Sequence, residues 1–248
     1  MSRLALRTPM AILPLGDAET IMYPMLGTPV IPGARRVFSY NNKLFSTDSE
    51  GDLCLIAPTL PSHQNLPDGI DGLLAADGRI FVYDYVTAVT GSLNCLDRIM
   101  AAANELAGIN GLRVMTPRLI KGATDLDTYC NLLRDMPQAY TAVYLKSIDA
   151  PYIQNVHGQK QNGAWYIYWI PEYGTGTICE IVEGAIIVKD DTGNDVVLRK
   201  GVSPLQYFID KYKDELIGQE AKYVKKNGSY RLLEIPALDK LENNHGTV

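Results

Sequence analysis

Short β-prone apolar runs separated by polar turns recur along the chain and predict many short strands, with a few stretches of helical spacing between them. Up to about residue 35 the chain is rich in Pro and Gly and reads as irregular. Residues 36–40 (RVFSY) and 43–46 (KLFS) flank Asn41-Asn42, two β-prone runs around a two-residue turn, and predict a hairpin. Residues 53–57 predict another strand. Residues 70–74 and 79–86 flank Ala75-Ala76-Asp77-Gly78, where Asp-Gly is again a hairpin signal. Residues 93–106 carry Leu96, Ile99, Met100 and Ala103 on one helical face, and Gly108 and Gly111 lie past its end. A second helix is predicted over 124–136. Thr124 or Asp125 caps it, Leu126, Tyr129, Leu132 and Leu133 form its apolar side, and Pro137 follows. Strand-like runs at 112–116, 118–120, 142–145 and 165–170 fill the intervals.

After Pro171 the texture changes. Short strands are predicted at 176–182, 185–189, 196–199, 220–224 and 231–235, with a helix at 204–213 that carries Pro204 in its first turn. Five short strands with an inserted helix fit a small Greek-key barrel of OB type. The expected fold class is therefore α+β, with domains 1–171 and 172–248.

Composition narrows the function classes modestly. The 248 residues, 46% hydrophobic and 21% charged, suffice for one large core or two smaller ones. A net charge of −5 is not the basic balance that favours nucleic acid, although the local field at a groove decides binding. Cys54, Cys95, Cys130 and Cys179 are scattered without a CxxC, which excludes a zinc ribbon and favours free buried thiols in a reducing cytoplasm over paired disulfides. His63, His157 and His245 lack metal-ligand spacing and read as loop residues. The apolar run at 10–15 is too short for a signal peptide and no stretch reaches the length of a membrane span, so a cytoplasmic protein with no membrane association is predicted.

Candidate chemistry lies in seven short stretches. Pro24-Met25-Leu26 precedes Val30-Ile31-Pro32-Gly33-Ala34-Arg35. Ile70-Asp71-Gly72-Leu73 leads into Phe81-Val82-Tyr83-Asp84. Thr141-Ala142-Val143-Tyr144-Leu145-Lys146 is followed by Asp149-Ala150-Pro151-Tyr152. Last comes Trp165-Tyr166-Ile167-Tyr168-Trp169-Ile170-Pro171. In this order they resemble the ATP-dependent DNA ligases, especially the minimal phage kind, over residues 24–241. The resemblance implies an antiparallel-sheet nucleotidyltransferase (ligase adenylation) domain followed by an OB-fold barrel. In that family a lysine of K-x-D-G-x-R attacks the α-phosphate of ATP. Here Val30 stands at the lysine and Pro32 at the aspartate, while Gly33 and Arg35 are kept. Leu73 stands at the carboxylate serving ribose and metal, Thr141 at the metal-associated glutamate, and Tyr168 and Ile170 at the two phosphate lysines. Tyr83 keeps the aromatic that stacks on adenine, and Lys146 is kept.

A valine has no lone pair with which to attack phosphorus. Joint loss of the charges implies that triphosphate and metal are not bound in the ancestral way. The expectation is a pseudoenzyme without cofactor or metal, with a vestigial nucleotide pocket of Val30, Gly33, Leu73, Tyr83, Thr141, Tyr168 and Ile170. Lys43 is the candidate for a displaced nucleophile in a divergent ligase or nucleotidyltransferase. The positive expectation is a grip on DNA, single-stranded or nicked, in an accessory role in phage transcription or replication that includes recruiting a polymerase. Lys222, Tyr223, Lys225, Lys226, Tyr230 and Arg231 form a basic run interleaved with aromatics, and Arg199 and Lys200 lie at a neighbouring strand end. Arg35 and Arg36 are expected at the same groove, with Lys146 as a phosphate contact. The alternative is a module that binds a host or phage protein, suited by the acidic balance and the tyrosine-rich segment 165–173.

Overall fold

The computed structural model describes residues 12–15, 21–47, 53–56, 66–138, 140–152, 165–199, 204–226, 229–238 and 241. The chain divides into two compact units, Met1–Tyr168 and Trp169–Val248.

In the first unit β1 (Leu13–Leu15), β2 (Met25–Pro29), β3 (Arg35–Tyr40), β4 (Lys43–Thr47), β5 (Leu53–Ile56), β6 (Ile70–Leu74) and β7 (Ile80–Tyr85) precede helix α1 (Cys95–Glu105). After it come β8 (Leu112–Val114), β9 (Arg118–Ile120), helix α2 (Ala123–Arg134), β10 (Ala142–Ser147) and β11 (Trp165–Trp169). They build a five-stranded sheet in the order β1-β11-β10-β2-β9 and a six-stranded sheet in the order β5-β4-β3-β6-β7-β8. Most pairings are antiparallel; β1 with β11 and β7 with β8 run parallel.

Turn chemistry fixes the hairpins. Asn41 and Asn42 sit at φ 49° and 55°, the left-handed geometry of a two-residue turn whose twist suits paired strands, and β3 and β4 pair across it. Between β6 and β7 the left-handed residue is Gly78. Gly72 answers a different need: a Cβ there would stand 2.5 Å from the Phe81 carbonyl oxygen, beside a bulge between Asp71 and Gly72. Helix α1 is capped by the Asn94 side chain, which accepts the Asp97 N–H, and buries Cys95, Arg98, Ile99 and Ala102. Helix α2 begins before the expected cap. Gly122 is its N-cap, and Asp125 turns back to accept the Lys121 N–H at 3.0 Å.

The irregular reading of the first 35 residues is corrected by β1 and β2. Strand β2 lies inside its sheet with every residue buried. A strand enclosed on both faces shows no polar alternation. Gly27 is needed there, since its Cβ would meet the Ile120 side chain at 2.8 Å.

The second unit contains β12 (Glu172–Val182), β13 (Ala185–Asp190), β14 (Asp195–Arg199), helices α3 (Pro204–Lys211) and α4 (Lys213–Leu216), β15 (Glu220–Lys226) and β16 (Ser229–Glu234). The strands close a barrel in the order β12-β13-β14-β16-β15, with β14 and β16 parallel. Third strand beside fifth, with helix between third and fourth, is OB topology. Its core includes Ile178, Ile181, Ile186, Val188, Leu198, Ile209 and Leu216. Strand β12 begins earlier than expected because Gly174 and Gly176, which look like turn residues, belong to the strand. A Cβ on Gly174 would lie 2.6 Å from the Tyr223 ring, and one on Gly176 would lie 2.7 Å from the Lys189 carbonyl oxygen. The single helix expected at 204–213 is two. Among the described residues no helix is long and apolar enough to cross a membrane.

Candidate functional site

Strands β3, β6, β7, β10 and β11 and helix α1 bring an ionic network into the interior of the first unit. Arg36, on β3, donates to Asp71 of β6 through Nε at 3.0 Å and Nη2 at 2.7 Å, and the Tyr152 hydroxyl donates to the same carboxylate at 2.7 Å. Arg98, on the buried face of α1, donates to Asp84 of β7 through Nε at 2.7 Å and Nη2 at 3.0 Å, and its Nη1 reaches the Leu93 and Ala150 carbonyls. Lys146 of β10 completes the group, donating to Asp84 Oδ2 at 3.0 Å and to the Tyr83 carbonyl at 2.6 Å. The Trp165 ring of β11 faces both groups, with Lys146 Nζ 3.7 Å and Arg36 Cζ 4.6 Å from its centre.

Burial works against the charge on Asp84, but the Lys146 ammonium and the Arg98 guanidinium outweigh it and hold the carboxyl below its ordinary range. Burial likewise opposes the Arg36 charge, and Asp71 more than restores it, so the guanidinium stays protonated. The Cys95 thiol beside the network is pushed up by burial.

Beside this network lies an apolar cluster of Leu73, Phe81, Tyr83, Tyr144 and Trp165, with Val30, Ile31 and Ala34 packed against it. Tyr83 meets Tyr144 edge-on, Tyr144 meets Trp165 edge-on, and the Tyr83 hydroxyl donates to the Pro29 carbonyl. Burial raises the Tyr83 phenol far above its usual value. Val30, Leu73 and Tyr83 thus come together as the motifs suggest, and Gly33 forms the adjoining turn at φ 69°. Thr141 is exposed one residue before Ala142, whose carbonyl accepts the Val30 N–H. Tyr168 is buried on β11 but is no member of this cluster, and Ile170 belongs to the second unit. Val30, Leu73, Tyr168 and Ile170 carry no charge and Thr141 offers a hydroxyl, so these positions do not fit a triphosphate and its metal. Among the described residues no three His, Cys, Asp or Glu side chains converge as metal ligands. A Tyr83→Phe variant strands the buried Pro29 carbonyl, and urea unfolding should record a loss of about 1–2 kcal/mol.

The expected DNA contacts divide sharply. Lys146 is 4% exposed and Arg36 is held by Asp71, so both serve the interior of the first unit rather than its surface. Arg35 is exposed at the head of β3. In the barrel Tyr223 is 7% exposed and packs inward over Gly174, which corrects its expected place on the surface; Tyr230 is half-buried against it. Lys222 pairs with Glu234 at 3.1 Å and Lys225 with Glu172 at 3.2 Å, so the acids missing from the run arrive from neighbouring strands. Arg199 and Arg231 are exposed, are direct register partners across β14 and β16, and make no ion pair among the described residues. Lys200, the Lys226 side chain and the three histidines lie outside the described residues. Cys95 and Cys130 are buried free thiols as expected, whereas Cys179 is exposed.

Arg98 was absent from the sequence-based site. Its signal was present: it follows Cys95 by three residues and precedes Ala102 by four, on the apolar side of α1.

Chlorella virus DNA ligase, solved as the ligase-adenylate, superposes with a TM-score of 0.54 at 19% identity, covering 93% of this chain and 100% of that one. A Lig E DNA ligase, described as binding DNA with a minimal scaffold, gives 0.54 at 13% identity over 92% and 98% of the two chains. The chain has the fold of the ATP-dependent DNA ligases. No family model and no curated sequence matches it. This shared ligase fold corrects one expectation. The structures alike in fold are DNA ligases, one captured as its adenylate, and the likeness points to a ligase-type protein and not to a pseudoenzyme.

Proposed function

We propose that this ligase-fold protein binds DNA and grips the phosphodiester backbone through the outer face of its OB barrel. The observation that carries the reading is the Arg199–Arg231 pair. Like charges directly opposite each other on neighbouring strands repel, and neither guanidinium has an acid to relieve it among the described residues. A phosphate group between them would supply the missing negative charge and accept from both. Lig E, alike in fold, is described as a DNA-binding scaffold. An accessory role in transcription or replication, with a polymerase as partner, is a finer proposal that rests on this one.

The test is a single incubation of the protein with labelled ATP, magnesium and nicked duplex, read for a mobility shift and for a covalent adduct. A shift that weakens with salt is expected, because phosphate contacts release counterions. Replacing both Arg199 and Arg231 by Glu should abolish it, and each single Ala variant should lower the salt slope by about one. A shift indifferent to salt and to both arginines would sink the proposal. A second reading, nucleotidyl transfer, is favoured by the likeness to a ligase-adenylate. Val30 stands at the lysine position, so an AMP adduct would form elsewhere, and Lys43, exposed at the head of β4, is the first lysine to map.

A further inference from the structure

The outer surface of the barrel carries one continuous row. Tyr173 of β12 pairs with Val224 of β15, Val224 with Arg231 of β16, Arg231 with Arg199 of β14, and Arg199 with Ala185 of β13. Register partners point to the same face of a sheet, and none of these five residues is buried. The two arginines are one strand spacing apart, about 4.8 Å, and Tyr173 lies two spacings from Arg231 across Val224. Tyr173 is 63% exposed. Along their own strands the arginines are flanked on the same face by Val197 and Leu233, both exposed large apolar side chains.

We propose that this row binds single-stranded DNA in preference to duplex, with one phosphodiester between Arg199 and Arg231 and one base stacked on Tyr173. The inference rests on the DNA-binding reading above and adds the form of DNA that the face accepts. Duplex DNA conceals its base faces and is held chiefly by the number of phosphates neutralised. Among the described residues this face offers few further cations for that purpose, since Lys222 is already paired with Glu234. A single strand presents the same phosphates together with open base faces, and base stacking on an exposed aromatic ring adds affinity that the duplex cannot obtain. Apolar Val197 and Leu233 beside the arginines suit bases better than a second row of phosphates.

Fluorescence polarisation of the full chain would decide the matter. The probes are a labelled single strand of about twelve nucleotides, its blunt duplex, and a strand of equal length with abasic sites throughout. The single strand should bind about tenfold more tightly than either the duplex or the abasic strand. Tyr173→Ala should bring the single strand down to the abasic level without changing abasic binding, and Tyr173→Phe should restore it, which a general loss of fold would not reproduce. Arg199→Ala should weaken all three. Duplex binding equal to or tighter than single-strand binding, or a Tyr173→Ala variant indistinguishable from the parent, overturns the inference. If the duplex is preferred and still depends on Arg199 and Arg231, the DNA-binding reading stands and only the single-strand preference falls. If no probe binds, both fall.

Discussion

Replacing Asp84 by Ala should destabilise the first unit by about 3–5 kcal/mol, the usual cost of stranding a buried charge. Two cations lose their counter-charge at once. Arg98 and Lys146 are both almost fully buried and both end on the Asp84 carboxylate. Chemical denaturation followed by circular dichroism measures the loss. Replacing the three residues together by apolar ones of similar size should cost much less, because the charges and their desolvation disappear together. If the single and triple variants lose equal stability, packing and not charge accounts for the site.

The same carboxylate makes the unit acid-sensitive. Its folded pKa lies below its unfolded one, so its contribution is complete above the unfolded value and drains as pH falls through the folded value. With an unfolded value near 4, the loss should set in as pH falls through that value and be complete only below the lower, folded one. Asp84→Asn should be less stable at neutral pH and flatter across that window. An unchanged acid limb would show that other carboxylates set it.

Trp165→Ala is the second large expected effect, a loss of about 3–5 kcal/mol. The indole is 1% exposed, touches Tyr144 edge-on and lies against two cations. Removing it opens a cavity next to the ion pairs. Trp165→Phe keeps a ring for Lys146 and Arg36 and should recover more than half of the loss. Equal losses in the two variants would mean that the ring face contributes little and that bulk alone matters.

The contrast between what the sequence disclosed and what it hid follows from the range of each interaction. Asn41-Asn42 and Asp77-Gly78 dictate their hairpins through local backbone geometry, and both hairpins are where they were expected. The barrel was visible from five strand-like runs and one inserted helix. Strand β2 was hidden because a strand covered on both faces needs no polar alternation. The start of β12 was hidden because its glycines make room for Tyr223 and for a neighbouring carbonyl, partners far along the chain. Within the candidate site, the grouping of Val30, Leu73 and Tyr83 followed from the order of the motifs. The pairing of Arg36 with Asp71 and the sharing of Asp84 by Arg98 and Lys146 are tertiary facts, without a local trace in any one motif. The basic run of β15 and β16 misled for a simple reason: alternation along β15 sends Ala221 and Tyr223 inward and leaves Lys222 outside beside Glu234.

Strand β11 has a consequence for the order in which this protein takes shape. It lies between β1 and β10, and it carries the indole that lies against Arg36 and Lys146. During synthesis β1 leaves the ribosome well before β11, its one neighbour in the sheet among the described strands. Arg36 and Asp71 can meet well before then, but their aromatic cover is the last part of the unit to be made. At about 5–20 residues per second that interval lasts on the order of ten seconds. The first unit is therefore a late-closing structure, and ribosome-bound chains that stop short of Trp165 should remain open to protease while those extending well beyond it resist.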